Sequence, residues 1–202
     1  MPSWGLGIQP APRRYTRGYL PHYDSNYIHQ FITFRLADSL PQTKLYELEE
    51  EIRVYPIARQ DVERRKQIEA WLDTGMGCCA LRHPKMAAVM VETLLKFDRD
   101  RYQLCAWCVM PNHVHALIRP EAALARIIQS WKSYTGRWAL AHNAELGLGV
   151  PGKAFWMREY WDRYIRDDRH YRSVVNYIHN NPVKAELCEQ PGNWKWSSAH
   201  FV

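Results

Sequence analysis

The sequence predicts an α+β fold, a small antiparallel sheet with helices packed mainly on one of its faces. Three segments support this prediction. Residues 29–37 alternate in polarity with a period of two, which indicates a strand. Residues 101–110 and 113–120 predict two further strands, separated by Pro-Asn, that form a hairpin-like pair. Because helical patterns precede and follow this pair, the order β-α-β-β-α with one further helix favours a sheet covered by helices.

The helical segments differ in character. Residues 42–73 are highly charged and helical in propensity, with a break predicted near Pro56. We expect a solvent-facing helical insertion here, because a plain charged face is the simplest account of its run of glutamates. Three later helices are predicted at 84–98, 121–143 and 167–180. The last of them is expected to begin with Asp167 or Asp168 as its N-cap and to stop at Pro182.

Length and charge limit the organisation and the partners of the chain. A chain of 202 residues is most simply one domain with a real hydrophobic core. We divide it into an irregular basic arm at 1–27, a domain at 28–187 that contains the helical insertion at 42–73, and a C-terminal tail at 188–202. The formal net charge of +6 favours phosphate-bearing or membrane-surface partners without choosing between them.

Two further observations bear on the compartment. No run of about 18 apolar residues occurs in the sequence, which excludes a membrane-spanning helix. The five cysteines are odd in number, and their spacing does not resemble the disulfide framework of a secreted protein. We therefore expect a cytoplasmic protein in a reducing environment.

The histidine pair His113 and His115 is unusual in a strand that is otherwise apolar. Alternate residues of a strand point to the same face, so the two imidazoles project side by side while Val114 turns towards a core. Such a pair is a natural half of a metal site that needs a third ligand from elsewhere. Taken alone, two hydrogen-bonded or surface histidines remain the simpler account of this pattern.

A zinc site is a less favoured alternative. The segment reads C-x2-C-x4-H-x-H from Cys105 to His115. Cys105 and Cys108 point to opposite faces of a regular strand, so both could bind one ion only if a bulge intervened. The separation of the cysteines from the histidines is also shorter than in zinc fingers. Buried cysteines that pack as small apolar residues are the better account.

Residues 155–187 contain a second dense cluster, in which arginines alternate with tyrosines and tryptophans. The arginines are Arg158, Arg163, Arg166, Arg169 and Arg172. Guanidinium groups beside aromatic rings are what a groove for single-stranded nucleic acid requires. A core of aromatic residues, with the arginines paired to neighbouring aspartates, accounts for the pattern equally well.

Tyr177 and Asn181 lie one helical turn apart and share a face if the helix continues that far. Asn181 precedes Pro182, a position where the helical conformation is disfavoured. In isolation, Tyr177 reads as a half-buried packing residue and Asn181 as a residue that ends a helix.

In combination, these segments resemble the single-tyrosine HUH transposases, and specifically the branch associated with repetitive extragenic palindromes (REP). The matching segments are RGYLPHYD, FITFRLADSLP, AWCVMPNHVHALI, IIQSWKSYTGRW, FWMREYWDRYIRDDRHYRSVVNYIHNNPVKAEL and WKWSSA. They occur in the family's order over nearly the whole chain, and residues 42–73 are the least distinctive. A lone H-x-H is weak, whereas MPNHVH followed by YIHNNPVKA is specific.

The resemblance implies a ferredoxin-like sheet and a role for each member of the site. His113 and His115 correspond to the histidine pair of the family, Tyr177 to its nucleophile, and Asn181 to the position that completes a Mg²⁺ or Mn²⁺ site. In one departure, Glu186 stands where the family usually has glycine. Since this position follows the catalytic helix, the change concerns the local turn or a DNA contact rather than the chemistry.

The activity implied is cleavage and rejoining of single-stranded DNA at palindromic hairpins through a 5′-phosphotyrosine. We predict that a set of basic residues contacts the DNA: Arg13, Arg14, Arg17, Lys132, Arg158, Arg163, Arg166 and Lys184. Two other functions remain open, a catalytically inactive hairpin-binding protein derived from such an enzyme and a structural zinc module that binds nucleic acid. The sequence does not decide between a monomer and a homodimer.

Overall fold

A computed structural model describes residues 13–16, 21–24 and 27–202 of the chain. Its central sheet has four antiparallel strands in the spatial order β4-β5-β3-β6. These strands are Gln30–Arg35 (β3), Tyr102–Val109 (β4), His113–Pro120 (β5) and Trp161–Tyr164 (β6). The predicted α+β class, the antiparallel sheet and its ferredoxin-like order are confirmed. Strand β6 was not predicted, because its four residues lie inside the arginine- and aromatic-rich cluster that suggested a binding groove.

The described residues form five α-helices beside the sheet: Gln42–Ile52 (α1), Ile57–Asp73 (α2), Pro84–Leu95 (α3), Leu124–Leu146 (α4) and Asp168–Lys184 (α5). Helices α3 and α4 cover one face, where Phe34 packs with Trp131. Helix α5 covers part of the other face, where Ile178 packs with Phe31. The prediction that the helices pack mainly on one face is confirmed, and α5 is the helix that packs on the other face. Phe31 and Ile32 are successive residues of β3 and point to opposite faces of the sheet. Because each face carries apolar side chains, each requires cover.

The charged segment is broken where the sequence predicts, since α1 ends at Ile52 and α2 begins after Pro56. It is less solvent-facing than expected. Leu48, Ile52 and Leu72 are buried, and α2 packs beside β3 and β6. A few apolar residues at helical spacing are enough to dock an otherwise polar helix.

The two ends of the chain are also more regular than expected. Residues Arg13–Thr16 (β1) and Pro21–Asp24 (β2) pair as an antiparallel hairpin, so this part of the predicted irregular arm is not irregular. Its tyrosines and threonine favour strands, and this preference outweighed the proline and glycine nearby. The C-terminal tail covers the edge strand β4: Trp194 Nε1 donates to the Val109 carbonyl, and the Val109 N–H donates to the Trp196 carbonyl. Covering an edge in this way protects its unpaired backbone groups.

Helix α5 begins as predicted, with the Asp167 side chain accepting a hydrogen bond from the His170 N–H. The predicted stop at Pro182 is wrong, because the helix continues to Lys184. A proline in the last turn removes one backbone hydrogen bond, and the remaining bonds still close the turn. The Glu186 N–H donates to Val183, and Leu187 to Pro182, which forms a Schellman motif.

Glu186 occupies the left-handed position of this motif, with φ of 56°. A β-carbon costs about 1 kcal/mol in this conformation, and glycine avoids that cost. We therefore expect Glu186→Gly to stabilise the protein by about 1 kcal/mol, which raises the Tm by about 2–4 °C for a chain of this size. Thermal unfolding would measure the change. Glu189→Gly, at an exposed site without a positive φ, is the control and should not stabilise.

Within the described residues, no helix is both long and apolar enough to cross a bilayer. All five cysteines lie in the described part of the chain, and all are free thiols.

Candidate active site

The histidine pair lies at the start of β5, between β3 and β4. His113 and His115 are each 1% exposed, and their Nε2 atoms are 3.0 Å apart. Val114 points to the opposite face and joins the core below α3 and α4. The side-by-side arrangement predicted from the strand period is therefore present, with both rings buried beneath α5.

The other nitrogen of each ring is held by a polar side chain. The Asn112 amide nitrogen donates to the Leu72 and Met76 carbonyls at 3.2 and 3.0 Å, which leaves its oxygen facing His113. That oxygen lies 2.8 Å from Nδ1 of His113. Because an amide oxygen only accepts, Nδ1 must carry the proton, and the Nε2 lone pair of His113 is free to bind a cation.

His115 is held differently. Its Nδ1 lies 2.8 Å from the hydroxyl of Thr33, on the neighbouring strand β3. A hydroxyl can donate or accept, so this contact fits either tautomer of the ring. Since His113 Nε2 carries no proton, the 3.0 Å contact makes His115 Nε2 the donor to it, and His115 Nδ1 then accepts from Thr33. In the other tautomer His115 Nδ1 donates to Thr33, and both Nε2 lone pairs are free to bind a cation.

Both imidazoles are neutral at pH 7. Burial lowers the pKa of His113 to about 3; nearby Asn181 opposes this shift and the Lys184 charge adds to it. Burial also holds the pKa of His115 well below its ordinary value, with His113 and Lys184 acting in the same direction. Neutral imidazole is the form that binds metal ions.

Helix α5 brings Tyr177 and Asn181 to the histidines. The Tyr177 ring lies 5.3 Å from the His115 ring and 5.7 Å from Phe31, between centroids. Asn181 is buried, and it raises the pKa of His113 while lowering that of Tyr177. Neither the Tyr177 hydroxyl nor either amide atom of Asn181 forms a well-aligned hydrogen bond with a described residue. Most buried polar atoms have a hydrogen-bond partner, and a bound ion or a catalytic role is one explanation for those that do not.

This donor set fits a divalent cation. Two imidazole nitrogens and an amide oxygen without a partner suit a metal that accepts mixed nitrogen and oxygen ligands. The candidate for a third ligand is an amide, so the site is not a cluster of histidines, cysteines and carboxylates. Among the described residues, no such cluster of three or more occurs.

Tyr177 is a poor nucleophile without help. Burial raises the pKa of its hydroxyl, and the charges of Glu69 and Asp73 raise it further. Arg65 and Asn181 partly oppose this shift. The phenol therefore remains protonated at neutral pH.

A cleft of about 320 Å³ opens beside the Tyr177 hydroxyl, between α2, β6 and α5. Its lining residues are Phe31, Arg65, Glu69, Trp161, Arg163, Arg166, His170, Ser173, Val174 and Tyr177. Arg65 lies over the Trp161 ring at 5.2 Å. The cleft thus combines cations with aromatic rings, as phosphate and base contacts require.

Sequence reasoning missed several of these residues. Arg65, Glu69 and Asp73 belong to the charged segment that was expected to be a plain solvent-facing surface. No local pattern marks them, because only packing of α2 against the sheet brings them to Tyr177. Asn112 and Thr33 were also missed, although Asn112 directly precedes the histidine pair and could have been considered as its support.

The predicted DNA contacts fall in different places. Arg163 and Arg166 line the cleft. Arg158 is exposed beside α4, in a separate groove. Arg13 and Arg14 lie in β1, where the structure describes only the backbone, and Arg17 lies outside the described residues.

The two predicted lysine contacts are engaged within the protein. Lys132 Nζ donates to the carbonyls of Met157 and Arg158 at 2.6 and 2.8 Å, and burial lowers its pKa to about 8. Lys184 pairs with Asp73 at 2.6 Å. Both side chains therefore support the fold around the site, and Lys132 in particular fixes the segment that carries Arg158.

The cysteine alternative can be compared with the geometry. A β-bulge between Leu104 and Ala106 places Cys105 on the α5 side with Cys108, so the bulge that a shared site would need is present. Burial raises the pKa of both thiols. Cys108 lies 3.6 Å from the Met110 sulfur, in an apolar cluster. These surroundings suit packing rather than metal binding.

Comparison with known proteins agrees with this geometry. Residues 85–181 match the family model described as "Transposase IS200 like". A REP-associated tyrosine transposase of Escherichia coli K12 is 30% identical over 110 residues, which cover 54% of this chain and 62% of that protein. Over residues 85–181, just under half of its length, the chain is similar to the IS200-like transposase family. The resemblance seen in its motifs is thereby confirmed, and the matched segment contains His113, His115, Tyr177 and Asn181.

Two further proteins show how far the similarity extends. One from Haemophilus influenzae is 26% identical over 106 residues. The matches span only 62% and 60% of the lengths of the two curated relatives. A solved structure of a REP-associated tyrosine transposase bound to a REP hairpin superposes with a TM-score of 0.51 and 20% identity, covering 89% of this chain and 81% of that one. This likeness shows a shared fold.

Proposed function

We propose that the chain is a DNA transposase that cleaves and rejoins single-stranded DNA through a 5′-phosphotyrosine on Tyr177. One observation supports this above all others: a buried tyrosine hydroxyl without a well-aligned hydrogen bond lies beside two neutral imidazoles and a buried amide that also forms no well-aligned hydrogen bond. A packing tyrosine would have a partner for its hydroxyl or leave it in solvent.

We also propose a hairpin-forming single strand as the partner, since the related solved transposase is bound to a REP hairpin. We propose that the cut site is unpaired, because the cleft lined by Tyr177 carries arginines and aromatic rings that suit the phosphates and exposed bases of a single strand. One chain supplies every member of the site, so a single copy is sufficient for the reaction in this proposal.

His113 and His115 through Nε2, and Asn181 through its amide oxygen, would hold a Mg²⁺ or Mn²⁺ ion. When bound, the ion withdraws charge from the scissile phosphate. The three ligands are neutral, so the full charge of the ion remains available to the phosphate. Imidazole ligands favour Mn²⁺ over Mg²⁺.

The chain's own residues then perform the exchange. The Tyr177 oxygen attacks phosphorus, and the bond to the 3′ oxygen breaks. Arg163 and Arg166 line the cleft and neutralise phosphate charge along the strand. Since one phosphoester replaces another, a 3′-hydroxyl can reverse the step, and the strand is rejoined without ATP.

The assay that tests this function uses a labelled single-stranded hairpin DNA with Mn²⁺ and a denaturing gel. A covalent protein–DNA adduct supports the proposal. Tight hairpin binding without an adduct would instead support a catalytically inactive hairpin-binding protein. Zinc bound stoichiometrically through the cysteines would support the structural module.

A second groove, beside α4, suits the stem of the hairpin. Its volume is about 520 Å³, and its basic lining residues include Arg137, Lys153 and Arg158. All three are exposed, and none pairs with a carboxylate of the described residues. Tyr160 and Glu159 line both this groove and a neighbouring pocket, and Arg65 and Glu69 line both that pocket and the Tyr177 cleft.

Replacing Arg137, Lys153 and Arg158 together by glutamine is expected to flatten the salt dependence of hairpin binding. Each lost phosphate contact reduces the slope of log K against log salt by about 0.7–0.9, so three reduce it by about 2–3. Titrations at several salt concentrations would measure this. The same substitutions at Lys96, Arg99 and Arg101 remove equal charge at the opposite end of β5 and should leave the slope unchanged, whereas equal effects would contradict the groove.

A further inference from the structure

Helix α2 lies outside the segment that matches the family model, yet it forms one wall of the cleft that contains Tyr177. Its contribution is Arg65 and Glu69, which are one helical turn apart and 3.8 Å from each other. The Glu69 side chain is only 19% exposed. A carboxylate is therefore largely buried beside the proposed nucleophile.

The position of α2 is fixed by two independent contacts. The Asn112 amide, which also orients His113, donates to the Leu72 carbonyl in the last turn of α2. Lys184, at the end of α5, pairs with Asp73 at 2.6 Å. Helix α2 is thus hydrogen-bonded to Asn112, which precedes β5, and ion-paired to α5, which carries Tyr177. Glu69, one turn before Asp73, is held at the cleft by these ties.

Attack by Tyr177 requires an acceptor for its proton, and other groups in the site are unsuited to that role. In the proposed function, the lone pairs of His113 and His115 are committed to the cation. The Asn181 amide is not a base. His170 also lines the cleft, but it lies two helical turns before Tyr177, about 10 Å along the helix axis.

We propose that Glu69 is the general base of this reaction. Its carboxylate takes the proton from the Tyr177 hydroxyl as the phenolic oxygen bonds to phosphorus. The phosphorus bond to the 3′ oxygen breaks at the same time, and the departing oxygen takes a proton from water. The assignment rests on the proposed function and adds to it a residue from the charged insertion.

The electrostatic surroundings of Glu69 suit this role. Burial raises the pKa of its carboxyl, while Arg65 and Lys184 lower it and Asp73 raises it. Glu69 and Tyr177 each affect the pKa of the other. A carboxylate that is more basic than an exposed glutamate is a better proton acceptor near neutral pH. Catalytic contacts are often poorly aligned before substrate binds, which agrees with the unsatisfied hydroxyl.

The decisive variant is Glu69→Gln, which preserves shape but cannot accept a proton. We expect the rate of adduct formation to fall by about 100-fold or more while the hairpin Kd stays within about twofold. The rate of the unmodified protein should rise with pH as Glu69 ionises, and the variant should lose this rise. Glu63→Gln is the control, since Glu63 pairs with Arg59 on the same helix and should retain the full rate.

A second variant separates a base from a structural residue. Glu69→Ala leaves space at the cleft, and added formate should restore part of the rate. An unchanged rate in Glu69→Gln would overturn the assignment, as would a loss that is equal at every pH and insensitive to formate. If the unmodified protein binds the hairpin but forms no adduct, the proposed function itself fails, and the assignment of Glu69 fails with it.

Discussion

Tyr177→Phe is expected to abolish the covalent adduct with single-stranded hairpin DNA, a loss of at least about 1,000-fold in a denaturing-gel assay. The phenolic oxygen is the atom that would bond to phosphorus, and no neighbouring side chain can replace it. Hairpin binding should persist, because the cationic residues of both grooves are unaffected. Measuring Kd alongside adduct formation separates chemistry from recognition.

The same substitution makes an opposite prediction for stability. The Tyr177 hydroxyl is buried without a well-aligned partner, and a buried unsatisfied hydroxyl costs about 1–3 kcal/mol. Its removal is therefore expected to leave the free energy of unfolding unchanged or to increase it by about 1 kcal/mol. If the hydroxyl instead stabilised the fold, its removal would lower the free energy of unfolding. Greater stability with no adduct is the signature of a residue retained for function.

Tyr171→Phe is the matched control for both measurements. Tyr171 is also a partly buried tyrosine of α5, and its ring contacts His29 rather than the histidine pair. This variant should retain the adduct. An adduct that survives in Tyr177→Phe and disappears in Tyr171→Phe would show that the nucleophile has been assigned to the wrong turn of the helix.

Removal of the cation, or of either imidazole, is expected to have the second-largest effect. Chelation with EDTA should lower the rate of adduct formation by about 100-fold or more, because several kcal/mol of charge stabilisation at the phosphate is lost. Mn²⁺ should restore the rate. His115→Ala should not recover at any Mn²⁺ concentration that restores the unmodified protein.

A graded effect is expected from the residue behind His115. Thr33→Val keeps the shape of the side chain and removes the hydrogen bond to Nδ1. Loss of such a contact weakens metal binding by about 10–100-fold, so Thr33→Val should require correspondingly more Mn²⁺ and then reach a normal rate. His142→Ala, which alters a ring stacked on Trp138, is the control and should behave normally. If His115→Ala, Thr33→Val and His142→Ala all showed the same dependence of the adduct rate on Mn²⁺, the proposed metal site would be contradicted.

The protonation state of the pair supplies an independent check. The pKa of His113 is about 3 and that of His115 is also far below normal, so both rings are neutral at pH 7 and cation binding displaces no proton from them. Calorimetric titration with Mn²⁺ in two buffers of different ionisation enthalpy should therefore give the same heat. The folded state binds fewer protons than the unfolded state between about pH 6.5 and 3, so stability should fall as the pH is lowered through that window.

Sequence alone was sufficient for the features that depend on local periodicity. The period of two in β5 placed His113 and His115 on one face and Val114 on the other, because alternation is a property of any strand. The spacing of Tyr177 and Asn181 placed both on one face of α5 for the corresponding helical reason. The resemblance, rather than periodicity, marked Glu186 as a position where relatives usually carry glycine, and its positive φ gives the physical reason.

Only the tertiary structure decided which elements meet. Strand β6 pairs with β3 across more than a hundred residues, and α5 crosses to the face of the sheet that was expected to be largely open. Asn112 follows from the sequence only as a hairpin residue, but in the structure its side chain bonds both His113 and the last turn of α2. Glu69 reaches Tyr177 through that link, although its local sequence is indistinguishable from an ordinary charged helix. Segments far apart in sequence meet because their apolar faces pack together. The polar residues that this packing brings together show no pattern in the local sequence that would identify them.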